Sequence, residues 1–181
     1  TALTPLMEAA HRDDSTTGAQ MAYLTSWAKR THNPLALRLP ALTEGPGEAL
    51  QLEAEEAAGV EADVAYLDPP YNQHSYKGNY HVWETLVRWD DPETYGVANK
   101  RVDCKTYKNP FNSRRRIAEA MARVVAAVRA PELVVSFSDE GFLDRETLEA
   151  MLSERGHVRV ATTGFDRYVG AKIGIHDPTG R

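Results

Sequence analysis

The chain has 181 residues, of which 42% are hydrophobic and 26% charged, and its formal net charge is −5. This is the composition of an ordinary globular protein that is long enough to bury a real core. No apolar run approaches the ~18 residues of a membrane span and no charged-then-apolar leader is present, so we expect neither a membrane segment nor a signal peptide.

The cysteine and histidine content bears on the cellular compartment and on metal binding. Cys104 is the only cysteine, which excludes an internal disulfide and suits a reducing compartment, so we expect a cytoplasmic protein. The six histidines are dispersed and have no cysteine partners at ligand spacing. We therefore expect no metal site.

Residues 1–48 are expected to form a helical and loop segment, followed by a catalytic α/β region over residues 49–181. Thr17 and Gln20 have capping-box spacing before apolar residues at helical intervals, which predicts a helix over residues 18–30. Prolines and glycines predict a loop over residues 40–48.

The most informative stretch begins with a short apolar run over residues 64–67, which predicts a buried strand with Asp68 at its carboxyl end. Open α/β sheets bind ligands outside the carboxyl ends of their strands. Pro69 and Pro70 fix φ and lack N–H donors, so the carbonyls of this loop have no local partners and face outward. Asp68 adds a carboxylate acceptor, and Tyr71 adds a flat ring.

These groups suit a planar heterocycle with an exocyclic amino group, such as adenine. Asp68 and the Pro69 carbonyl would each accept one amino hydrogen while Tyr71 stacks on the ring. Two acceptors pulling on the hydrogens favour a tetrahedral nitrogen that can attack an electrophilic methyl group, which predicts amino methyl transfer. The alternative is an ordinary turn that Asp68 caps.

Asp68-Pro69-Pro70-Tyr71, followed by Asn72-Gln73-His74-Ser75-Tyr76, resembles the signature of the S-adenosylmethionine-dependent adenine-specific DNA methyltransferases. Residues 14–21, Asp-Ser-Thr-Thr-Gly-Ala-Gln-Met, resemble a stretch that the same family carries before this motif. The resemblance implies that residues 68–71 are catalytic, that S-adenosylmethionine is the cofactor, and that the substrate is an adenine flipped out of DNA.

The resemblance also implies an acidic cofactor ligand at the end of the strand before the catalytic strand. Glu53 matches this position best, although the family usually has aspartate there, so the expected cofactor-binding residues are Glu53 and Asp68. The surrounding segment, residues 49–58, is short and acidic, and a surface helix is an equally good interpretation of it.

Positive charge is concentrated in one part of the chain. Between residues 100 and 116 seven basic side chains accompany a single acid, so this stretch carries +6 and the rest carries −11. This asymmetry predicts a phosphate-binding surface, although a solvated helix face explains the arginine triplet equally well. The residues expected to contact nucleic acid are Tyr76, Lys100, Arg101, Lys105, Lys108, Arg114, Arg115 and Arg116.

Caps and apolar periods predict the remaining elements. Asn79 is expected to cap a helix that carries Val82, Trp83, Leu86 and Trp89 on one face. Ser113 is expected to cap a second helix, which has the arginine triplet in its first turn and the apolar stripe Ile117, Met121, Val124, Val125 and Val128. A buried strand over 133–138, a helix from the Asp144 cap to Gly156, and a hairpin of residues 158–162 and 171–176 complete the prediction.

The order of elements predicts an α/β fold, a Rossmann-like class I methyltransferase sheet with an antiparallel edge. None of the twelve glycines forms Gly-x-Gly-x-x-Gly or an aromatic-led Gly-x-Gly turn. We therefore expect the chain to lack the N-terminal cofactor-binding half, to need an upstream segment or a separate chain for that site, and to be inactive alone.

Other functions remain open. Methylation of adenine in RNA and of glutamine amides in protein also uses an NH₂ substrate, but those families more often begin the motif with asparagine, so Asp68 favours DNA. A catalytically inactive nucleic-acid-binding fragment is the alternative of a different class.

Overall fold

The computed structural model describes residues 3–16, 18–20 and 26–164. In chain order the elements are α1 (Leu3–Asp13), a 3₁₀ helix (Lys29–His32), α2 (Ala54–Ala58), β1 (Val64–Leu67), α3 (Tyr76–Asn79), α4 (His81–Arg88), β2 (Thr94–Tyr95), β3 (Lys100–Arg101), α5 (Asp103–Thr106), a second 3₁₀ helix (Pro110–Asn112), α6 (Ile117–Ala127), β4 (Glu132–Val135) and α7 (Arg145–Ser153). The architecture is mixed α/β, as expected.

The chain folds as two compact units. The first comprises residues 1–45, 76–107 and 163–181, and the second comprises residues 46–75 and 108–162. The division expected from the sequence, 1–48 and 49–181, stays a prediction.

The second unit is built on a parallel pair of strands packed against α6. Val64 of β1 lies opposite Glu132 of β4, and the register continues to Leu67 opposite Val135. One face packs on a core centred on Ile117 and Met121, which are fully buried. The stripe predicted for α6 is therefore confirmed.

Both strands exist, although β4 ends at Val135 and not at residue 138, and the predicted burial of both strands is wrong. Burial alternates along each strand, and Val64, Tyr66 and Val134 are at least half exposed. The described part of the chain covers only one face of this two-stranded sheet, so every second side chain points to solvent.

The start of α6 also differs from its prediction. The helix begins at Ile117 with Arg116 as its N-cap, not at Ser113, so the arginine triplet forms the turn before the helix. Ser113 is instead the C-cap of the preceding 3₁₀ helix, and its carbonyl accepts from the N–H groups of Arg116 and Ile117, both at 2.9 Å, in the turn that leads into α6.

The first unit contains a helix that the sequence did not indicate and, among the described residues, lacks both ends of one that it did. α1 spans a segment with no strong period. Residues 18–20 and 26–28 are bends, turns or irregular, so the predicted helix over 18–30 is wrong at both ends, while 21–25 lie outside the described residues. Gly18 has φ of 101°, a left-handed conformation that a right-handed helix cannot contain.

Other boundaries in the first unit follow from local backbone geometry. Asn79 is the last residue of α3, and the N-cap of α4 is Tyr80. Trp89 is not on the helix face but ends α4 in the left-handed conformation with its side chain 81% exposed. The left-handed residue reverses the chain direction, which carries this ring out of the predicted apolar face.

Elsewhere the outcomes are mixed. The predicted loop over 40–48 is confirmed. The predicted Asp144 cap is also confirmed, since its side chain accepts from the Thr147 N–H at 2.8 Å. The helix that it caps, α7, ends at Ser153 and not at Gly156. Residues 158–162 are not a strand, since no described segment pairs with them, and 171–176 lie outside the described residues. No described helix has the length and apolar character needed to cross a membrane.

Candidate active site

Asp68 follows β1 directly, at the carboxyl end of the parallel pair. The Ser136 N–H donates to the Leu67 carbonyl at 2.9 Å and extends the pairing to the start of the loop. Asp68 is exposed, and no described residue donates a hydrogen bond to its carboxylate or to the Pro69 carbonyl. The loop thus presents two adjacent acceptors, a carboxylate and a carbonyl.

The loop is held through its other carbonyls. The Phe142 N–H donates to the Tyr71 carbonyl at 2.7 Å. Asn112 Nδ2 donates to the carbonyls of Asn72 at 2.7 Å and His74 at 3.0 Å. The His74 N–H closes a local turn on Asn72 Oδ1 at 3.0 Å. Pro69 and Pro70 have no N–H groups to donate, so the loop is held in place by the hydrogen bonds that its carbonyls accept.

The Tyr71 ring rests against the loop that follows the neighbouring strand. Its centroid is 5.9 Å from that of Phe137, with the planes tilted by 59°. Phe137 is in turn packed against Gly141, where an added Cβ would lie 2.4 Å from the Phe137 ring and 2.9 Å from the Ser138 carbonyl oxygen. Tight packing therefore sets the position of Tyr71.

Four of the basic residues predicted to bind nucleic acid belong to the same unit as this loop. Arg114, Arg115, Arg116 and Lys108 are all exposed. The Arg114 guanidinium lies 4.7 Å from the centre of the Phe142 ring, and Arg116 Nη2 reaches the Lys108 carbonyl at 3.5 Å. Arg114 thus stacks on the residue whose N–H holds Tyr71.

The other predicted nucleic-acid residues belong to the first unit. Arg101 is 97% buried and forms a bidentate ion pair with Asp90 at 2.6 and 2.8 Å. This pairing raises the pKa of Arg101 and lowers that of Asp90. Lys105 lies 3.9 Å from the Tyr95 ring centre, and Tyr76 stacks on Tyr80. Arg101 therefore has an internal structural role, and its contact with nucleic acid, like that of Lys100, stays a prediction.

Glu53 is not at the end of a strand, and this expectation is wrong. The preceding residues 46–52 are irregular, and Glu53 is the N-cap of α2, in a capping box with Glu56. Residues 46–52 begin with Pro46 and Gly47 and pair with no described strand, so they do not form a β-strand that could end at Glu53. The helix that follows agrees with the surface-helix interpretation, and a cofactor contact by Glu53 stays a prediction.

Asp14, Thr16 and Gln20 belong to a segment for which the sequence indicated no chemical role, and they stabilise the first unit. Gln20 Oε1 accepts from the N–H groups of Val82 and Trp83 at 2.9 and 3.4 Å, so it caps α4 from a distant part of the chain. His81 Nε2 donates to the Gln20 carbonyl at 3.2 Å. Asp14 binds the Thr16 hydroxyl and the Arg30 guanidinium, both at 2.9 Å.

Sequence reasoning missed four residues that hold the candidate site: Asn112, Phe137, Gly141 and Phe142. A signal for three of them existed. Parallel strands end at the same edge of a sheet, so the loop after the second predicted strand should have been placed beside residues 68–72. Asn112 carried no such signal, because its contacts join residues about 40 positions apart.

A family model of D12 class N6 adenine-specific DNA methyltransferases matches residues 2–151. The chain is 30% identical over 155 residues to the modification methylase StsI of Streptococcus sanguinis, a match that covers 84% of this chain and 24% of that protein. It is 31% identical over 156 residues to the type II methyltransferase M.FokI of Planomicrobium okeanokoites, covering 83% and 24% of the two chains.

A third relative is the type II methyltransferase M.CviAII of Paramecium bursaria Chlorella virus 1, which is 28% identical over 169 residues, 92% of this chain and 50% of that protein. The chain thus spans about a quarter to a half of the length of these curated relatives. No solved structure matches it significantly. Because the family model covers most of the chain, including the whole loop with Asp68, the chain belongs to the D12 class N6 adenine-specific DNA methyltransferases.

Proposed function

We propose that this chain forms the part of an S-adenosylmethionine-dependent DNA methyltransferase that holds the target adenine and promotes methylation of its N6 amino group. The observation that carries the proposal is the pair of acceptors at the carboxyl end of β1, the Asp68 carboxylate and the Pro69 carbonyl, to which no described residue donates. Tyr71, packed on Phe137, lies in the same loop.

The chemistry follows from what the two acceptors can do. The lone pair of an aromatic amine is delocalised into the ring, so the nitrogen is a poor nucleophile. When each acceptor takes one amino hydrogen, the nitrogen becomes more tetrahedral and the positive charge that develops during attack is stabilised. Bound S-adenosylmethionine, for which Asp68 and Glu53 are the proposed ligands, would supply the methyl group to N6 as the methyl–sulfur bond breaks, and the amino nitrogen would give up one proton to solvent.

Access to the amino group requires the adenine to leave the duplex, since the reacting atom cannot be reached inside the base stack. The face of Tyr71 is suited to stack on the extruded base. Lys108 and the arginine triplet, all exposed in the same unit, are suited to neutralise the phosphates of the flanking DNA.

The finer architecture is also part of the proposal. We infer a Rossmann-like class I sheet whose glycine-rich cofactor turn is supplied by an upstream segment or by another chain. The parallel pairing of β1 with β4, the exposed side chains of Val64 and Tyr66, and the greater length of the relatives support this. Among the described residues, Asp68 and Glu53 are the proposed contributors to cofactor binding.

A role in restriction and modification is proposed on the names of the relatives, two of which are called type II methyltransferases. The same names and the family match favour adenine in DNA over the two other amino substrates, adenine in RNA and glutamine in protein. They also favour an enzyme over a binding module without catalysis.

The proposal is tested by Asp68→Ala in the full-length protein. Loss of an acceptor used in the transition state should lower the rate of methyl transfer by ~10²-fold or more, with cofactor affinity less affected. Transfer of a radiolabelled methyl group to PCR-amplified DNA, which carries no methylation, measures the rate. Asp63→Ala is the matched control, since Asp63 is an exposed aspartate at the opposite end of β1. Near-normal methylation by the Asp68 variant would contradict the mechanism.

A further inference from the structure

We infer that Asn112 is a positioning residue for the catalytic loop, because one carboxamide nitrogen donates to two carbonyls of the segment that follows Asp68-Pro69-Pro70-Tyr71. The two bonds reach the Asn72 carbonyl at 2.7 Å and the His74 carbonyl at 3.0 Å. The inference rests on the proposed function, since it assigns Asn112 to the alignment of the acceptors that act on adenine.

The loop depends on such a donor. Its two prolines cannot donate, so its conformation is fixed through its carbonyls. The strand fixes the upstream end at Leu67, and Phe142 fixes the middle at the Tyr71 carbonyl. Asn112 fixes the downstream end, where the chain turns on the Asn72 side chain. Without Asn112, the partly buried Asn72 carbonyl would lose its described donor.

Asn112 is itself held firmly to the core. It ends the 3₁₀ helix Pro110–Asn112, which Asn109 caps by accepting from the Phe111 N–H at 3.0 Å. Phe111, the residue before Asn112, is buried in the cluster with Ile117 and Met121. Core packing thus determines where the carboxamide lies, and the carboxamide determines where the loop lies.

The chemistry of the two partners sets the orientation of the side chain. Carbonyl oxygens only accept, so the amide nitrogen, with two hydrogens, must face them and the amide oxygen must face away. Both hydrogens of Nδ2 are then used by the loop, and none remains for a substrate. Asn112 therefore acts through the loop, where a displacement of about 1 Å at the reacting groups is enough to lower a rate by ~10²-fold.

The test is Asn112→Asp in the full-length protein. Aspartate keeps the shape of the side chain but presents an oxygen to two carbonyl oxygens, so it repels the loop it should hold. Asn109→Asp is the matched control: the same chemical change three residues earlier, where the side chain serves as an acceptor and aspartate can replace it.

Single-turnover methyl transfer to PCR-amplified DNA, the dissociation constant for that DNA, and the melting temperature are measured for both variants. The Asn112 variant should transfer methyl groups at least ~10-fold more slowly than wild type, with DNA affinity changed by less than about threefold, whereas Asn109→Asp should resemble wild type. Lowering the pH from about 8 to about 6 should restore part of the lost rate, since a carboxyl group between two acceptors has a raised pKa and regains a donor when protonated.

Equal transfer rates for the two variants, in an assay where Asp68→Ala is slow, would overturn the inference and leave the proposed function standing. Failure of the wild-type protein to methylate adenine would instead overturn the proposed function. If Asn112→Asp does not fold, Asn112→Ala removes the donors without adding charge. The alanine variant should also be slow at a near-native melting temperature, and a normal rate would overturn the inference.

Discussion

At the scale of single residues, the packing behind Tyr71 leaves no room for a side chain at Gly141. A Cβ there would lie 2.4 Å from the Phe137 ring and 2.9 Å from the Ser138 carbonyl oxygen. The ring could rotate away, but the backbone oxygen cannot move without disturbing the turn that the Gly141 N–H closes on it. The next residue, Phe142, donates to the Tyr71 carbonyl, so any shift reaches the catalytic loop.

Gly141→Ala should therefore cost about 1–3 kcal/mol of unfolding free energy, the usual cost of overpacking. It should also slow methyl transfer, because the Phe137 ring supports Tyr71. Urea unfolding and the methyl-transfer assay measure the two effects. Gly156→Ala is the control, since no atom lies within 4 Å of a Cβ at that position. Indistinguishable unfolding curves for the two variants would show that the turn adapts without strain.

At the scale of elements, α4 shows how one segment completes another. The first N–H groups of a helix have no partners within it. In α4, two of them donate to the side chain of Gln20, which lies more than sixty positions earlier in the chain. The Gln20 carbonyl accepts from His81, the first residue of the helix, which is 97% buried. Gln20 and His81 thus join α4 to the N-terminal segment.

The burial of His81 makes stability depend on pH. Burial lowers the pKa of His81, and the neighbouring charges of Lys100 and Arg101 lower it further, against the opposing effect of the hydrogen bond to Gln20. The unfolded chain, with an ordinary histidine pKa of about 6.5, then binds more protons than the folded chain just below that pH. Stability is full above about pH 7 and falls as the pH drops below about 6.5.

His81→Gln, which keeps a donor for the Gln20 carbonyl but does not titrate, should remove this component of the pH dependence. Urea midpoints at about pH 7.5 and about pH 5.5 measure the change for wild type and variant. His157→Gln, at an exposed histidine, is the control. If wild type and the His81 variant lose the same stability between the two pH values, His81 is not the group responsible.

The elements that sequence reasoning predicted well are those whose signal is local. The apolar period of α6, the Asp144 cap and the run before Asp68 each lie within a few residues of what they specify. The errors arose where a partner is distant. Thr17 and Gln20 look like a capping box, but Gln20 caps a different helix.

The residues of the candidate site fall into the same two groups, those with a local sequence signal and those whose partners are distant. Asp68-Pro69-Pro70-Tyr71 could be found because its chemistry and its stiffness reside in four adjacent residues. Asn112 could not, since what it does depends on which backbone atoms tertiary folding brings within reach. Parallel-strand geometry could have placed the loop of Phe137 and Phe142 beside this motif, but not their individual contacts. For the same reason the sequence predicts that Arg101 binds phosphate, whereas in the fold Arg101 forms an ion pair with Asp90 inside the protein.

At the scale of the whole molecule, the uneven charge has to be reconciled with a polyanionic substrate. The chain carries −5 overall, while residues 100–116 carry +6. The fold divides this basic stretch, since Arg101 is buried in the first unit and Lys108 and the arginine triplet are exposed in the second. Lys108 and the triplet are therefore the accessible basic residues of this stretch that lie in the same unit as the catalytic loop.

Replacing Arg114, Arg115 and Arg116 together by glutamine should reduce the slope of log K against log salt concentration by about 2–3 units, because each phosphate contact contributes ~0.9. Folding stability should hardly change, since exposed charges contribute little. Fluorescence anisotropy of labelled duplex DNA between about 50 and 200 mM salt measures the slope.

The control for the triplet removes the same charge elsewhere in the second unit, by changing Arg123, Arg145 and Arg159, which are all exposed, to glutamine. Counterion release depends on phosphates that a side chain touches, whereas net charge acts at a distance and is screened within about 10 Å at 0.1 M salt. The control should therefore leave the slope near its wild-type value. Equal slopes for the two triple variants would mean that the triplet is a solvated surface and that DNA is held by other residues.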